Sequence, residues 1–382
     1  MPIFDQGYQH WQGTLSGHAW RWFTITRQGV RVQRQNRWVR MVVLLAWMPA
    51  AALALVLIFW GLLEQKSELV MPLLRLTGLP RELLAGPRAF RGAVWTLGYY
   101  YFFRIEMIFA MILVLLVGPG LISQDLRFNA IPLYFSRPLR RFDYFVGKLA
   151  VIGVYLSAVA IVPAVLAFVL GILFSLDFSV LRDTWRILLA SVGYGAVIVL
   201  SAGTLMLALS SLSRNSRSVA ALWVGTWFVS NVIAGVLSGM HGDAIRRDAM
   251  KAATDRRAAE AMERGQSGGR TGSANRQRMN DDWRSQREAL AEYQAEVARR
   301  DWRPIVSYTA NLVRIGSLLL DPESAAKQII GVVTQPGQPG LPTVVVTGPQ
   351  FPWWWSAAVL AGIFGLSLWI LTSRVKSLDR LR

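Results

Sequence analysis

Six long apolar runs, over 41–62, 96–122, 145–174, 185–209, 219–237 and 353–372, constrain what this chain can fold into more than any other feature. Each approaches or exceeds the roughly 20 residues that carry a helix across the hydrocarbon core of a bilayer. The runs are continuous rather than alternating. That pattern excludes barrel strands and fits helices, which satisfy every backbone polar group within one segment. Charge is scarce as well as clustered: 17% of the 382 residues are charged and 53% are hydrophobic, against about 25% charged in an average soluble domain. The expected fold is an all-α integral membrane protein with six transmembrane helices.

The clusters of charge orient those helices. The lead-in 1–40 carries Arg21, Arg27, Arg31, Arg34, Arg37 and Arg40 against Asp5, and 121–148 carries Arg127, Arg137, Arg140, Arg141 and Lys148 against Asp125 and Asp143. The loop after the fourth run adds Arg214 and Arg217, and the tail adds Arg374, Lys376, Arg380 and Arg382 against Asp379. Six spans bring all four segments to one side, with 17 basic residues against 4 acidic. Basic residues accumulate in cytoplasmic loops, so both termini are expected in the cytoplasm of a cell bounded by this membrane, a bacterial inner membrane being the natural case. The same rule accounts for the net charge of +18 without a nucleic-acid partner. The first apolar run begins at Met41, too late and too long for a signal-peptide core. No cysteine is present, which excludes disulfides, thiolate metal sites and thiol nucleophiles.

The layout that follows is an amphipathic cytoplasmic lead-in (1–40), five spans (41–237), a large extracytoplasmic loop (238–352), and a sixth span with its tail (353–382). Within the large loop, 243–264 and 281–300 are rich in helix formers, and Trp283, Leu290 and Val297 recur every seven residues. The flexible stretch GQSGGRTGSAN lies between them. Two readings of 243–300 stand: a helical hairpin able to bind an extracytoplasmic partner, or a charged insert without fixed structure. The more apolar 304–320 is expected to lie along the interface or to dip into the outer leaflet, and 331–349 to form a short hairpin. Pro72, Pro80 and Pro87 divide 63–95 into short interfacial helices, and Trp353, Trp354 and Trp355 open the last span at the aromatic belt. Pro49 and Pro163 read as tolerated kinks. Gly118, Pro119 and Gly120 read as hinge candidates, where the second span ends and turns into the polar segment.

Catalytic chemistry is hard to find. No GxxxxGK[ST] phosphate loop occurs; Gly147-Lys148 is followed by Leu149 and lacks the upstream glycine. Ser267-Gly268-Gly269 belongs to a flexible linker. The three histidines, His10, His18 and His241, have no metal-ligand spacing. Arg104 and Glu106 are the notable ionisable residues within a run. An intramembrane charge is a functional candidate by default. Their two-residue spacing puts them on different helix faces, and the expected position for both is the headgroup level near the outer end of the second span. The chain is therefore expected not to be an enzyme and to bind no metal or cofactor of its own.

The polar segment 121–148, LISQDLRFNAIPLYFSRPLRRFDYFVGK, is different. Its charges alternate with Ile131, Leu133, Tyr134, Phe135, Phe142, Tyr144 and Phe145, and Pro132 and Pro138 cut it into short pieces that can lie flat on a membrane. A generic positive loop explains the arginines but not this density of aromatics. At Asp125-Leu126-Arg127, Ile131 to Leu139, Arg141 to Tyr144 and Gly147-Lys148, the segment resembles the cytoplasmic region after the second span in permease subunits of type-2 ABC exporters. The opening MPIFDQGYQHW, the following WRWFTITRQGVRVQRQNRW and the exit LTSRVKSLD are similar to other parts of that family. The likeness covers roughly 1–237 and 353–382; the loop between is longer than is usual there.

The resemblance implies two permease subunits, identical or homologous, around a pathway through the lipid, with two separate ATPase subunits carrying ATP and Mg. The lead-in and 121–148 would supply the docking surface, with Asp125, Arg127, Leu133, Tyr134, Phe135, Arg137, Pro138, Arg141, Asp143, Tyr144 and Lys148 as its residues. The alternative expectation is a scaffold or sensor that transports nothing and whose outer hairpin binds an envelope partner.

Overall fold

The computed structural model describes residues 20–65, 86–135, 139–175, 177, 179–264, 300–333 and 350–374. These are helical throughout, with no strand among them. Six helical runs are long and apolar enough to cross a membrane: Arg37–Glu64, Pro87–Arg127, Arg141–Ser175, Ser179–Leu212, Ser216–Ala244 and Trp353–Arg374. Each contains one of the expected runs.

The first span shows why these residues make a membrane helix. Helix α1 (Arg21–Arg34) is followed by Asn36, whose side chain accepts from Trp38 N at 3.0 Å and caps α2 (Arg37–Glu64). Val39, Val42, Ala46, Ala50, Leu53, Leu57 and Trp60 are buried at helical spacing. Leu44, Leu45, Met48 and Leu55 are exposed on the other faces. A helix apolar on every side is stable only where lipid or further protein covers the faces beyond its packed stripe. Pro49 lies inside α2 without ending it.

The second span starts nine residues before the expected 96. Helix α3 (Pro87–Val117) opens with proline at its first turn, where the missing N–H costs nothing. Arg91, in the stretch expected as short interfacial helices, is 2% exposed and neutralised by acids from other helices. Nor does the span end at the Gly118–Gly120 triplet. The ladder breaks at Gly118-Pro119 and resumes as α4 (Gly120–Arg127). Ser210 Oγ accepts from Ile122 N (3.1 Å) and Ser123 N (3.0 Å), two donors that have no partner within α4, and donates to Pro119 O at 2.9 Å. Gly118 is needed here for approach: a Cβ would lie 2.1 Å from Met206 Cγ.

A short helix α5 (Ile131–Phe135) leads to α6 (Arg141–Leu156), a π-helical turn (Ser157–Ile161) and α7 (Val162–Ser175). The π turn immediately precedes Val162-Pro163, where proline cannot donate to the ladder. Helix α8 (Ser179–Leu212) returns, then α9 (Ser216–Val224), a second π turn (Gly225–Val229) and α10 (Ser230–Arg264). The first arm of the expected hairpin over 243–300 is thus a continuation of the fifth span as far as Arg264. Residues 265–299 lie outside the described residues, as do 66–85 of the interfacial helices expected over 63–95 and 334–349 of the hairpin expected over 331–349, whose first three residues instead belong to a helix that ends at Val333.

Past a 3-10 turn (Arg303–Val306), α11 (Tyr308–Leu320) and α12 (Pro322–Val333) form a bent pair, and α13 (Trp353–Arg374) is the sixth span. Helix α11 packs among α3, α8 and α13 rather than along the outside of the bundle. The core joins α2, α3, α6, α7, α8 and α11 through side chains such as Leu57, Trp95, Tyr144, Phe168, Met206 and Leu312.

Candidate functional site

The segment singled out in the sequence forms a compact platform at the end of the bundle that carries α1. Asp125 lies near the end of α4, and its Oδ2 accepts from the Tyr144 hydroxyl at 2.7 Å and pairs with Lys148 Nζ at 2.7 Å. Tyr144 and Lys148 are four residues apart on α6, hence on one face, and both are buried. The Lys148 ammonium also sits 5.7 Å from the Tyr134 ring centroid and 5.5 Å from that of Tyr144. The two rings lie 5.3 Å apart. One lysine thus ties α4, α5 and α6 together. Burial pushes the Tyr134 hydroxyl above the ordinary tyrosine range, with the Asp125 charge adding to the effect.

The platform is fixed to neighbouring spans. Ser123 Oγ, on α4, meets Ser216 Oγ of α9 at 2.8 Å. The lead-in α1 lies across α6: Thr26 donates to Gly147 O at 3.1 Å, and Tyr155 donates to Val30 O at 3.1 Å. Gly147 permits that crossing, since a Cβ there would come within 2.9 Å of Trp22 O and of Ile25 Cβ.

Three large apolar side chains project from this end: Phe128 is 72% exposed, Leu133 72% and Phe142 74%. Arg127, Arg140 and Arg141 of the same segment are exposed as well, the Arg127 guanidinium lying 5.5 Å from the Phe128 ring centroid. The structure therefore separates the eleven expected docking residues into groups. Asp125, Tyr134, Tyr144 and Lys148 are brought together as the internal brace. Arg127, Leu133 and Arg141 face outward. Asp143 does local work, its Oδ2 accepting from Arg140 N at 3.3 Å at the start of α6. Phe135 ends α5, with its side chain outside the description, as are Arg137 and Pro138. Phe128 and Phe142 were absent from the expected site. Their chemistry fitted it, but which aromatics a short helix leaves outward is decided by packing.

Arg104 and Glu106 fall in the middle third of the 31-residue α3 rather than near its end, because the helix starts early. Arg104 is exposed. Glu106 is 1% exposed, and neither carboxylate oxygen has a hydrogen-bond partner among the described residues.

At the opposite end, a second polar cluster had no sequence signal. Arg91 Nε donates to Glu64 Oε1 (2.8 Å) and Oε2 (3.0 Å), and its Nη2 also contacts Oε2. Its Nη1 reaches Ser179 Oγ at 2.9 Å and Asp183 Oδ2 at 3.0 Å. Asp177 accepts from the backbone N–H of Ser179 at 2.9 Å and from its hydroxyl at 2.7 Å. Those two bonds hold the Asp177 carboxyl below the ordinary aspartate range, with lesser help from Arg91 and Arg88. The first four spans are thereby pinned together, Gln65 of the first also donating to Phe174 O of the third at 2.5 Å.

No group of three or more metal-ligating side chains occurs among the described residues. Neither a protein-family model nor a curated protein matches the sequence.

Proposed function

We propose that this chain is the transmembrane subunit of an ATP-driven export complex, paired with a second permease subunit in a bacterial inner membrane and docked on separate ATPase subunits through its 121–148 segment. One observation carries the reading: Phe128, Leu133 and Phe142 are exposed apolar knobs on a segment that also exposes Arg127, Arg140 and Arg141, on a platform braced from within by the Asp125–Lys148 pair. Apolar anchors surrounded by polar residues are what a protein interface uses for affinity. A rigid brace is what a coupling element needs if movement of a partner is to reach the spans rather than be absorbed in a loop. The chain has no phosphate loop, so the energy source in this reading is a partner's ATP and Mg.

The test is purification from native membranes in mild detergent, with mass spectrometry of what accompanies the protein. The wild type is expected to bring a soluble subunit bearing a phosphate loop in near-stoichiometric amount. Leu133→Asp and Phe142→Asp should lose that subunit while remaining monodisperse. If both variants retain it, the platform is not the docking surface. If the wild type brings no ATPase under several gentle conditions, the exporter reading fails.

A further inference from the structure

The pair α11–α12 enters the bundle and leaves again, and it borders an open cavity for which ATPase docking has no use. Ser307 caps α11, its hydroxyl accepting from Ala310 N at 3.0 Å and donating to Asn231 Oδ1 at 2.6 Å. The buried Tyr308 hydroxyl then meets Ser201 Oγ at 2.9 Å, well inside α8. From there α11 runs back toward the Arg91 end. Gly316 lies so close to Tyr194 that a Cβ would be 2.5 Å from the ring. The helix stops at Asp321, at φ 49°, whose carboxylate accepts from the Ser324 hydroxyl at 2.6 Å as α12 begins. Helix α12 reaches the start of α3, where Gln328 donates to Ala89 O at 2.9 Å.

Under this turn is a cavity of about 510 Å³ lined by Arg314, Ser317, Leu318, Asp321, Glu323 and Gln350, among others. That volume lies within the range of small-molecule sites. Its charges have both signs. Arg314 is half-buried and tethered through Nε to Phe351 O at 2.5 Å, and its terminal nitrogens have no acceptor among the described residues. A guanidinium held by one nitrogen presents the rest of its donor fork, the geometry that suits phosphate or carboxylate. On the same wall, Gln350 holds Glu323 by one carboxylate oxygen, and Asp321 adds a second carboxylate. A purely anionic ligand would meet two acids, and a purely cationic one would meet Arg314.

We propose that this cavity binds a zwitterion, a molecule in which a phosphate or carboxylate sits a few ångströms from an amine, with Arg314 holding the anion and Glu323 the amine. Phospholipid headgroups and small soluble zwitterions share that chemistry. The site stands apart from the docking platform, so it survives if the exporter reading fails, and the reverse also holds.

The experiment uses full-length detergent-purified protein and three soluble probes: glycerophosphoethanolamine, glycerol 3-phosphate and ethanolamine, titrated by calorimetry. A parallel arm recovers the protein from nanodiscs of mixed phosphatidylethanolamine and phosphatidylglycerol and reads retained lipid by native mass spectrometry. The zwitterion should bind at least tenfold tighter than either fragment, or the phosphatidylethanolamine should be retained over the phosphatidylglycerol by a similar factor. Soluble binding alone identifies a soluble ligand; retention alone identifies a lipid. Arg314→Gln should lose tenfold or more in affinity. Glu323→Gln should keep anion binding but reduce the preference for zwitterion over anion to less than threefold, a change that simple loss of fold would not give. If Arg314→Gln does not fold, the selectivity of Glu323→Gln decides alone. Equal affinity for zwitterion and anion in the wild type, unchanged selectivity in Glu323→Gln, or no binding in either arm overturns the assignment.

Discussion

Replacing Lys148 tests whether the platform is braced from within. Lys148 Nζ and Asp125 Oδ2 are 2.7 Å apart, with side chains 11% and 14% exposed. At an effective dielectric of about 20, two unit charges at that distance attract by about 6 kcal/mol. Desolvating both ions costs several kcal/mol each, so the net value of the intact pair is near zero. Removing one partner is a different matter, because the other charge stays buried and uncompensated, at a cost of about 3–5 kcal/mol. Lys148→Met additionally forfeits the two ring contacts, worth roughly 0.5–2 kcal/mol each. Lys148→Met and Asp125→Asn should therefore each destabilise the protein by about 3 kcal/mol or more. The double variant should recover at least about 2 kcal/mol relative to the sum of the singles, within the range of contacting pairs. Unfolding in dodecylmaltoside–SDS mixed micelles, followed by the fluorescence of the 16 tryptophans, gives all four corners of the cycle. A coupling energy below about 0.5 kcal/mol would refute the brace. So would a Lys148→Met protein that unfolds at the wild-type midpoint.

Two further outcomes concern the opposite end of the bundle. Arg91→Ala should cost about 3–5 kcal/mol in the same assay by stranding buried Glu64, and Arg91→Lys should recover little, since a point charge cannot span Glu64, Ser179 and Asp183 together; wild-type stability in Arg91→Lys would show that the fork is unnecessary. The Asp177 carboxyl is held below its unfolded value, so its contribution is complete above about pH 4 and disappears as pH falls through the lower folded value. The acid limb of wild-type stability should accordingly be steeper below about pH 4 than that of Asp177→Asn, and superimposable limbs would contradict the assignment.

The six spans were legible because a bilayer tolerates few alternatives: a long apolar run must become a helix, and lipid tolerates apolar side chains on every face. Their ends were less legible. The stretch around Arg91 read as short interfacial helices rather than as the start of the second span, since Glu64 and Asp183, which neutralise Arg91, lie 27 and 92 residues away along the chain. The Gly118–Gly120 triplet read as the end of a span because Ser210 Oγ, which lets the helix resume, belongs to the fourth span. Within 121–148, the pairing of Tyr144 with Lys148 follows from a four-residue spacing. Their convergence on Asp125 does not, because it depends on how α4 meets α6. The prolines made this stretch read as short separate pieces, whereas one helix within it continues the second span and another begins the third at Arg141.

That last difference bears on how the platform would work. The brace hangs from two spans rather than from a loop, Asp125 on the continuation of the second and Lys148 on the start of the third. Both spans depart from a regular ladder farther in: the second at Gly118-Pro119, the third at the π turn Ser157–Ile161. Both are held at their far ends, the second by Arg91 and the third through Phe174 O. A push on Phe142 or Leu133 would move α4, α5 and α6 as one body, because the ion pair joins α4 to α6 and the contact of the Tyr134 and Tyr144 rings joins α5 to α6. The far ends, tied to the first and fourth spans, would resist. Displacement must then be absorbed between those two fixed regions, and the irregular ladders are where the helices have the fewest ordinary hydrogen bonds to lose.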